Sequence, residues 1–303
     1  MQEPRRIGIF MILWNNPFSQ EQFEICRDYY NRLIQSLGLQ VDIWGVEYQV
    51  AGQDELRPLA NKFKLHCRNE QEMAIRDKDT KLKWRDLVMS PILPQYDVYV
   101  RLTPSSVLNL VRFHAAIQSP DYDPEVVYTG AMYHQMVRQE KDGKEVQENH
   151  IFPRGNLVVM SRAMVEGMQE DFRTHTMDEI VWAGAGTNDD HIIGTLLFKY
   201  RDYKYRVYGY VGVNEATHDV VQGEHLMDEM LVGVKINGAG SNPPINLQQY
   251  SLQIMKLILG VWQSHFITVP TYKDTEPFGR NWWWIARRHL DEIIEEQGWK
   301  KPE

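Results

Sequence analysis

Apolar runs and amphipathic stretches alternate along the first half of the chain. IGIFMIL (residues 7–13) is continuously apolar, which predicts a strand covered on both faces. Ser19 then caps a predicted helix that ends near Gly38, with apolar residues at helical spacing between them. LQVDIWGVEY (residues 39–48) and FKLHC (residues 63–67) predict two more strands. Strands that alternate with helices predict an α/β fold with a mostly parallel central sheet flanked by helices.

A further strand, YDVYV (residues 96–100), follows a predicted helix over residues 78–90 and ends in Arg101-Leu102-Thr103-Pro104. Its β-branched and aromatic residues favour a pleated surface, and a proline cannot donate to the ladder beyond it. The remaining elements predicted up to the middle of the chain are a helix after Leu110, the strand EVVYTGAMY (residues 125–133), a polar hairpin around Asp142-Gly143, the strand GNLVVMS (residues 155–161) and a helix beginning at Ser161.

Two apolar stripes at helical spacing lie near the end of the chain. The first consists of Leu247, Tyr250, Ile254, Leu257, Ile258 and Val261, and the second of Trp282, Ile285, Ala286, Leu290 and Ile293. We therefore expect an α/β domain over residues 1–235 and a helical C-terminal extension over residues 236–303 that packs on it.

The composition is that of a globular protein, because 43% apolar and 24% charged residues are too apolar a mixture for a disordered chain. A formal net charge of -8 argues against a general nucleic-acid surface, which needs many phosphate-binding cations. No apolar run approaches the roughly 18 residues that cross a bilayer, so no transmembrane segment is predicted. The expected location is the cytoplasm.

Polar side chains follow the predicted parallel strands. Asn15 and Asn16 come after the first strand, Glu47 lies near the end of the second, and Arg101 and Thr103 end the strand over residues 96–100. Parallel strands place their carboxyl ends at one rim of the sheet, which is where α/β folds bind ligands. This rim is the expected nucleotide-binding edge.

An acidic pair, Asp189-Asp190, begins an apolar helical stretch in GTNDDHIIGTLLFKY (residues 186–200). One interpretation is helix capping, with Asn188 or Asp189 accepting backbone N–H groups and acidic charge favoured by the helix dipole. The other interpretation is catalytic, and it depends on the segment about twenty residues earlier.

That segment, FPRGNLVVMSRAMVEGM (residues 152–168), combines with the acidic pair into an ordered set of motifs. They are Phe152-Pro153, Gly155, a short apolar strand ending in Ser161-Arg162, and Asp189-Asp190 followed by Gly194. In this order they resemble the Fringe-like glycosyltransferases of the GT-A fold. The strand ending in Arg101-Leu102-Thr103-Pro104-Ser105-Ser106 is similar to a divergent branch with Arg-x-Thr-x-Ser-Ser in place of the Asp-x-Asp motif. The resemblance covers about residues 5–235 in element order.

The resemblance implies a GT-A-type domain that transfers a sugar from a nucleotide diphosphate sugar, such as a UDP-sugar, to a glycan or other hydroxyl acceptor with inversion. Asp190 would take the proton from the attacking hydroxyl, and Asp189 would orient it or cap the helix. Gly155 would permit close approach of the sugar to the backbone. Gly155, Asn156 and His191 are accordingly the residues expected on the acceptor side.

The departure from the family pattern concerns the metal. Thr103 and Pro104 cannot hold the divalent ion that an Asp-x-Asp motif would bind, so no cofactor is firmly predicted and Mn²⁺ or Mg²⁺ is disfavoured. A guanidinium fork also suits phosphate oxygens, which predicts that Arg101 neutralises the leaving diphosphate with help from Lys81 or Lys235. A structural ion pair at the strand end is the equal alternative for Arg101.

Two other classes of protein compete with this interpretation. A nucleotidyltransferase would use the same kind of nucleotide-binding sheet, but it needs a metal held by carboxylates that the strand end does not supply. A non-catalytic binding or scaffold protein would have kept the fold and lost the chemistry. Donor turnover with and without Mn²⁺ separates the three.

Overall fold

The computed structural model describes residues 3–52, 61–141, 144–153, 157–181, 188–214, 220–222 and 231–237, together with 248–249, 251–252, 255–256 and 259. Its strands are β1 (Ile7–Ile12), β2 (Val41–Val50), β3 (Lys62–Cys67), β4 (Val98–Leu102), β5 (Ser106–Leu108), β6 (Val126–Thr129), β7 (Met132–Lys141), β8 (Lys144–Pro153), β9 (Leu157–Ser161), β10 (Lys204–Val207), β11 (Gly209–Asn214), β12 (Val220–Gln222) and β13 (Leu231–Asn237). Its helices are α1 (Pro17–Leu37), α2 (Glu70–Asp77), α3 (Thr80–Val88), α4 (Leu110–Gln118), α5 (Arg162–Thr174), α6 (Met177–Ile180) and α7 (Asp189–Gly194), which a π-helical turn (Thr195–Tyr200) continues.

Seven strands form the central sheet in the order β10-β6-β9-β4-β1-β2-β3. Strand β9 runs antiparallel to both of its neighbours, β4 and β6, while the other neighbouring strands are parallel. The predicted α/β class with a mostly parallel sheet is therefore confirmed, and the arrangement is consistent with a GT-A-like fold. The parallel group β4-β1-β2-β3 directs its carboxyl ends to one rim.

Helices cover both faces of this sheet because successive side chains of a strand point to opposite faces. Ile7, Ile9 and Met11 of β1 lie in one core cluster with residues of α1 and α4. Phe10 and Ile12 lie in the other cluster, with residues of α3, α5 and α7. In β4 the same alternation directs Tyr99 to the second cluster and Val98, Val100 and Leu102 to the first. The position between Val100 and Leu102 belongs to Arg101, whose side chain consequently faces α3 and α7.

The cap of helix α1 lies three residues before the predicted one. The Asn16 side chain accepts a hydrogen bond from the Ser19 N–H at 2.8 Å, and Pro17 occupies the first turn, where its missing N–H costs nothing. Asn16 is therefore the cap, and Ser19 is the third residue of the helix. The helix ends as predicted at Gly38, whose φ of 63° is the left-handed conformation that glycine adopts readily.

The predicted strand over residues 125–133 is two strands. β6 ends at Thr129 in the central sheet, and β7 begins at Met132 and pairs antiparallel with β8 as a separate hairpin. The predicted hairpin is confirmed, with Asp142-Gly143 outside the described residues. A second sheet, in the order β12-β11-β13-β5, lies beside the carboxyl end of β4, because β5 follows it after three residues.

The two predicted C-terminal stripes lie outside the described residues, so the division at residue 235 stays a prediction. Of the described positions in this part of the chain, Met255 and Leu259 are buried in the same core cluster as β1. None of the helices in the described ranges has the length and apolar character needed to span a bilayer.

Candidate active site

A buried ion pair joins the end of β4 to the start of α7. Arg101 Nε donates to Asp189 Oδ2 at 2.6 Å, and a terminal nitrogen of the same guanidinium donates to Asp189 Oδ1 at 2.5 Å. Arg101 is 4% exposed and Asp189 1% exposed. Such a two-pronged pair fixes both side chains, and separating it inside the protein would leave an uncompensated charge. The pair therefore holds the N-terminus of α7 against the sheet.

The position of Asp189 does not fit the helix-capping interpretation. The residue at the cap position is Asn188, and its side chain makes no capping hydrogen bond. The Asp189 backbone N–H donates instead to Thr80 Oγ1 of α3 at 3.0 Å, while its carboxylate binds Arg101. Asp189 thus links α7 to α3 and to β4.

Asp190 is half-buried beside this pair. Burial, and then the negative charge of Asp189, raise the pKa of its carboxyl from 3.8 to about 6, although Arg101 and backbone N–H groups act in the opposite direction. One of those N–H groups belongs to His191, which donates to Asp190 Oδ1 at 3.1 Å. A carboxyl with a pKa of about 6 is ionised at neutral pH and still basic enough to accept a proton from a reacting group.

Lys83 of α3 lies fully buried under the rim, at the end of β1. Its Nζ donates to the Leu13 carbonyl at 2.5 Å and to Asp77 Oδ1 at 2.6 Å. The other Asp77 oxygen accepts from the Asn15 backbone N–H at 2.8 Å. Burial lowers the pKa of Lys83, and the charges of Asp77, Glu47 and Asp189 oppose that shift. Asp77 and Lys83 together fix the loop that follows β1, on which the predicted donor residue Asn15 lies exposed.

Glu47 lies in a cluster with Lys62, Lys64 and Gln20. Its Oε1 binds Lys64, and its Oε2 accepts from Gln20 Nε2 at 2.6 Å, with Lys62 Nζ 3.4 Å away. Burial alone would raise the pKa of Glu47, but the hydrogen bond and charge of Lys64 and the charge of Lys62 hold it below its usual value. Both carboxylate oxygens are engaged in this nearly buried cluster, and the place of Glu47 at the nucleotide-binding edge stays a prediction.

The remaining predicted donor residues lie around the end of β4. Thr103 Oγ1 is 2.7 Å from Ser106 Oγ, in the turn that leads to β5. Lys235 of β13 pairs across from Ser106, which brings its backbone to the same turn. Lys81 is half-buried in the first turn of α3, and Asn16 caps α1. Arg101 differs from these residues, since its guanidinium is bound to Asp189 and is not presented to solvent.

On the acceptor side, Gly155 and Asn156 lie outside the described residues. His191 packs on Phe152, with ring centroids 4.2 Å apart, and its pKa is lowered by burial and by the neighbouring His150 and Lys81. The Phe152-Pro153 motif, at the end of β8, is therefore in contact with the helix that carries the acidic pair.

Gly194 permits that contact. A Cβ at this position would stand 2.4 Å from Phe152 Cβ and 2.6 Å from the Ile151 carbonyl oxygen, so any side chain would separate α7 from β8. The glycine of the acidic motif thus serves the packing of the helix that positions Asp190.

We expect Gly194→Ala to destabilise the protein by about 1–3 kcal/mol, because overpacking against backbone cannot be relieved by a rotamer change. The matched control is Gly167→Ala in α5, where the atoms nearest to the new methyl group belong to the flexible Arg201 side chain, the first at 3.2 Å. Urea unfolding of both variants measures the difference. Equal stability of the two would show that α7 and β8 do not pack as described.

Thr80, Lys83 and Asp77 are site residues that sequence reasoning missed. The sequence Asp77-Lys78-Asp79 has the form Asp-x-Asp, but it does not follow an apolar strand, so it gave no reason to predict a site. In the structure Asp79 is the cap of α3. The signal that was available is Lys83 on the apolar face of α3: Thr80 precedes it by three residues and Leu87 follows it by four, and all three are buried.

The described side chains do not fit a divalent ion. Within the described ranges, no group of three or more His, Cys, Asp or Glu side chains is arranged to hold a metal. The carboxylates of Asp189 and Asp77, at the ends of β4 and β1, are already engaged by Arg101 and Lys83. An added cation would meet these positive charges at short range.

Comparisons with known proteins give little beyond this geometry. No family model matches the sequence, and no curated protein matches it. The fold is similar to the crystal structure of a glycosyltransferase involved in the glycosylation of the major capsid of PBCV-1, with a TM-score of 0.42, 10% identity, and coverage of 83% of this chain and 99% of that chain. A likeness this weak carries no conclusion about activity. The sheet itself defines the chain as an α/β protein, with the Arg101–Asp189 pair and Asp190 at the end of β4.

Proposed function

We propose that this chain is a glycosyltransferase that moves a sugar from a nucleotide diphosphate sugar to a hydroxyl acceptor with inversion. The observation that carries the proposal is Asp190, a carboxyl with a pKa of about 6 at the start of α7, beside a buried Arg101–Asp189 pair at the end of a central strand. The ordered motifs that resemble Fringe-like enzymes support the same reaction, and that branch of the family remains part of the proposal.

Asp190 accepts one proton in the proposed reaction. As the acceptor oxygen attacks the anomeric carbon, a carboxylate oxygen of Asp190 takes the hydroxyl proton, and the bond from that carbon to the diphosphate oxygen breaks. The diphosphate leaves with the bonding electron pair. Attack opposite to the leaving group inverts the anomeric carbon, and a single positioned base is sufficient for such a displacement.

Arg101 acts through Asp189 in this account. Its fork holds Asp189, and Asp189 in turn raises the pKa of Asp190 and anchors α7. This replaces the expectation that Arg101 neutralises the leaving diphosphate, because a guanidinium bound on two sides and nearly excluded from solvent would have to leave Asp189 unpaired to reach a phosphate. We assign the phosphates and nucleotide to the rim residues Asn15, Asn16 and Thr103 and to the lysines Lys81 and Lys235.

Binding of nucleoside diphosphates tests the proposal without requiring an acceptor. A ligand that binds only the folded state raises the melting temperature, so UDP, GDP, dTDP and ADP are compared with their nucleosides at equal concentration. We expect one diphosphate to raise the melting temperature and its nucleoside to do so less. The absence of a shift with every diphosphate would contradict the proposal, and a shift without turnover of any matching nucleotide sugar would favour a binding protein.

Donor turnover is expected to survive removal of divalent metal. The reasons are that Thr103 and Pro104 stand where a metal-binding acidic pair would be, and that the nearby carboxylates are paired with cations. The measurement is release of nucleoside diphosphate in excess EDTA, compared with added Mn²⁺ or Mg²⁺. Loss of activity in EDTA and its recovery with Mn²⁺ would show that carboxylates hold a metal during the reaction.

A further inference from the structure

A cavity of about 270 Å³ lies between strand β8 of the hairpin and the helix that carries the acidic pair. Its helical wall consists of His191, Gly194, Thr195, Phe198 and Lys199. Residues spaced by three and four positions lie along one side of a helix, and Asp190 precedes Gly194 by four positions. Asp190 itself does not appear in the lining, but it immediately precedes His191, the first residue of this wall.

The cavity offers both apolar ring faces and hydrogen-bonding groups. Phe198 of the helical wall and the buried Phe152 of the strand wall both line it. Asn149 supplies a donor and an acceptor at the same surface, and the Thr195 hydroxyl, which donates to the His191 carbonyl at 3.1 Å, supplies an acceptor. A ligand suited to this lining has an apolar ring face and several hydroxyl groups at its edge, since a hydroxyl both donates and accepts.

The charged groups in the lining offset one another. Lys199 Nζ is 3.0 Å from Glu148 Oε2, and His150 Nε2 is 3.6 Å from the same oxygen. Burial, and then the charge of Lys199, lower the pKa of His150, while Glu148 opposes that shift. An anionic ligand would meet Glu148 and a cationic ligand would meet Lys199, so the lining favours a neutral one.

The size limits the ligand to one ring. Pockets for drug-sized molecules measure roughly 300–1,000 Å³, and this cavity lies just below that range. We propose that it binds a single neutral sugar unit of the acceptor, with the ring against Phe198 and the hydroxyl groups at Glu148 and Asn149. The assignment of this sugar to the acceptor rests on the proposed function. The test below measures sugar binding without transfer.

The probes are the methyl glycosides of glucose, galactose, mannose and xylose, with glucuronate and glucosamine as charged comparators. Saturation-transfer NMR on the full chain detects weak binding of each. We expect at least one neutral glycoside to bind and the two charged sugars to bind more weakly. Binding of none of the neutral glycosides, or stronger binding of a charged comparator, would overturn the proposal.

Two pairs of variants locate the binding. Asn149→Trp fills the cavity from an exposed position, and Gln147→Trp places the same side chain on an exposed residue of β8 outside the lining. Lys199→Ala removes a lining cation, and Lys204→Ala removes an exposed lysine of β10 that does not line the cavity. We expect the first member of each pair to weaken glycoside binding at least about tenfold and the second to leave it unchanged. Equal effects within each pair would place the glycoside elsewhere and overturn the proposal.

Failure of this inference and failure of the proposed function give different results. If nucleotide sugars are consumed and no neutral glycoside binds, the cavity assignment is wrong and the transferase proposal stands. If a glycoside binds in the cavity and no nucleoside diphosphate binds, the cavity assignment stands and the chain is a sugar-binding protein.

Discussion

Replacing Asp190 with asparagine is expected to lower turnover by about 10²–10⁴-fold, the usual effect of removing a positioned base. Binding of the nucleotide donor should stay nearly unchanged, because the substitution removes no group assigned to the phosphates. Asp178→Asn is the matched control, because Asp178 also lies in the first turn of a helix but is exposed. Comparable turnover in Asp190→Asn and Asp178→Asn would refute the assignment.

The same substitution should stabilise the protein at neutral pH. The pKa of Asp190 is raised in the folded state from 3.8 to about 6, so folding favours the protonated form and stability falls as the pH rises through that interval. Above pH 6 the folded protein holds an ionised carboxylate beside Asp189, and asparagine removes that cost. We expect Asp190→Asn to raise the melting temperature at pH 8 and to have little effect at pH 4.

In the unmutated protein, turnover should rise with pH through about 6, since only the ionised carboxyl accepts a proton.

The second large effect concerns stability. Arg101→Ala would leave Asp189 buried without its guanidinium, and breaking a buried pair from one side costs about 3–5 kcal/mol. Arg162→Ala is the matched control, since Arg162 also pairs with an aspartate, Asp97, at 2.8 Å, but with both side chains about half exposed. Exposed pairs of that kind contribute roughly 0–1 kcal/mol. Denaturant unfolding of both variants measures the contrast.

A double variant, Arg101→Met with Asp189→Leu, separates stability from chemistry. Apolar residues of similar volume replace a buried pair with little loss of stability, so most of the folding free energy should return. Turnover should stay low, because α7 then lacks the pair that positions Asp190. Recovery of both stability and turnover would show that the pair is structural only.

The apolar runs were enough to predict the strands nearest the site. β1, β4 and β9 lie within one or two residues of their predicted positions, because each is a short buried run bounded by polar or turn residues. The split of residues 125–133 was missed because Gly130 and Ala131 carry no strong turn signal within an apolar stretch. Helix α2 was missed because it has no buried residue, so its sequence has no apolar stripe to detect.

The components of the site were predictable, but their pairing was not. Arg101 follows from the end of a strand, and Asp189-Asp190 follows from an acidic start to an apolar helix. Their contact joins residues 88 positions apart, and sequence spacing holds no information about such a distance. The structural ion pair was one of two open alternatives for Arg101, and its partner was not foreseen. Lys83 was overlooked because a buried lysine is rare, although its spacing from Leu87 places it on the apolar face of α3.

The most direct measurement of the central claim is the consumption of nucleotide sugars by the unmutated protein and by Asp190→Asn. A panel of UDP-, GDP- and dTDP-sugars is supplied with a mixture of methyl glycosides, and both nucleoside diphosphate release and glycoside products are followed between pH 5 and 8. The account predicts that one donor is consumed and a glycoside product formed, with a rate that rises through about pH 6 and falls by about 10²–10⁴-fold in Asp190→Asn. Equal consumption by both proteins, or no consumption of any donor by the folded unmutated protein, would contradict it.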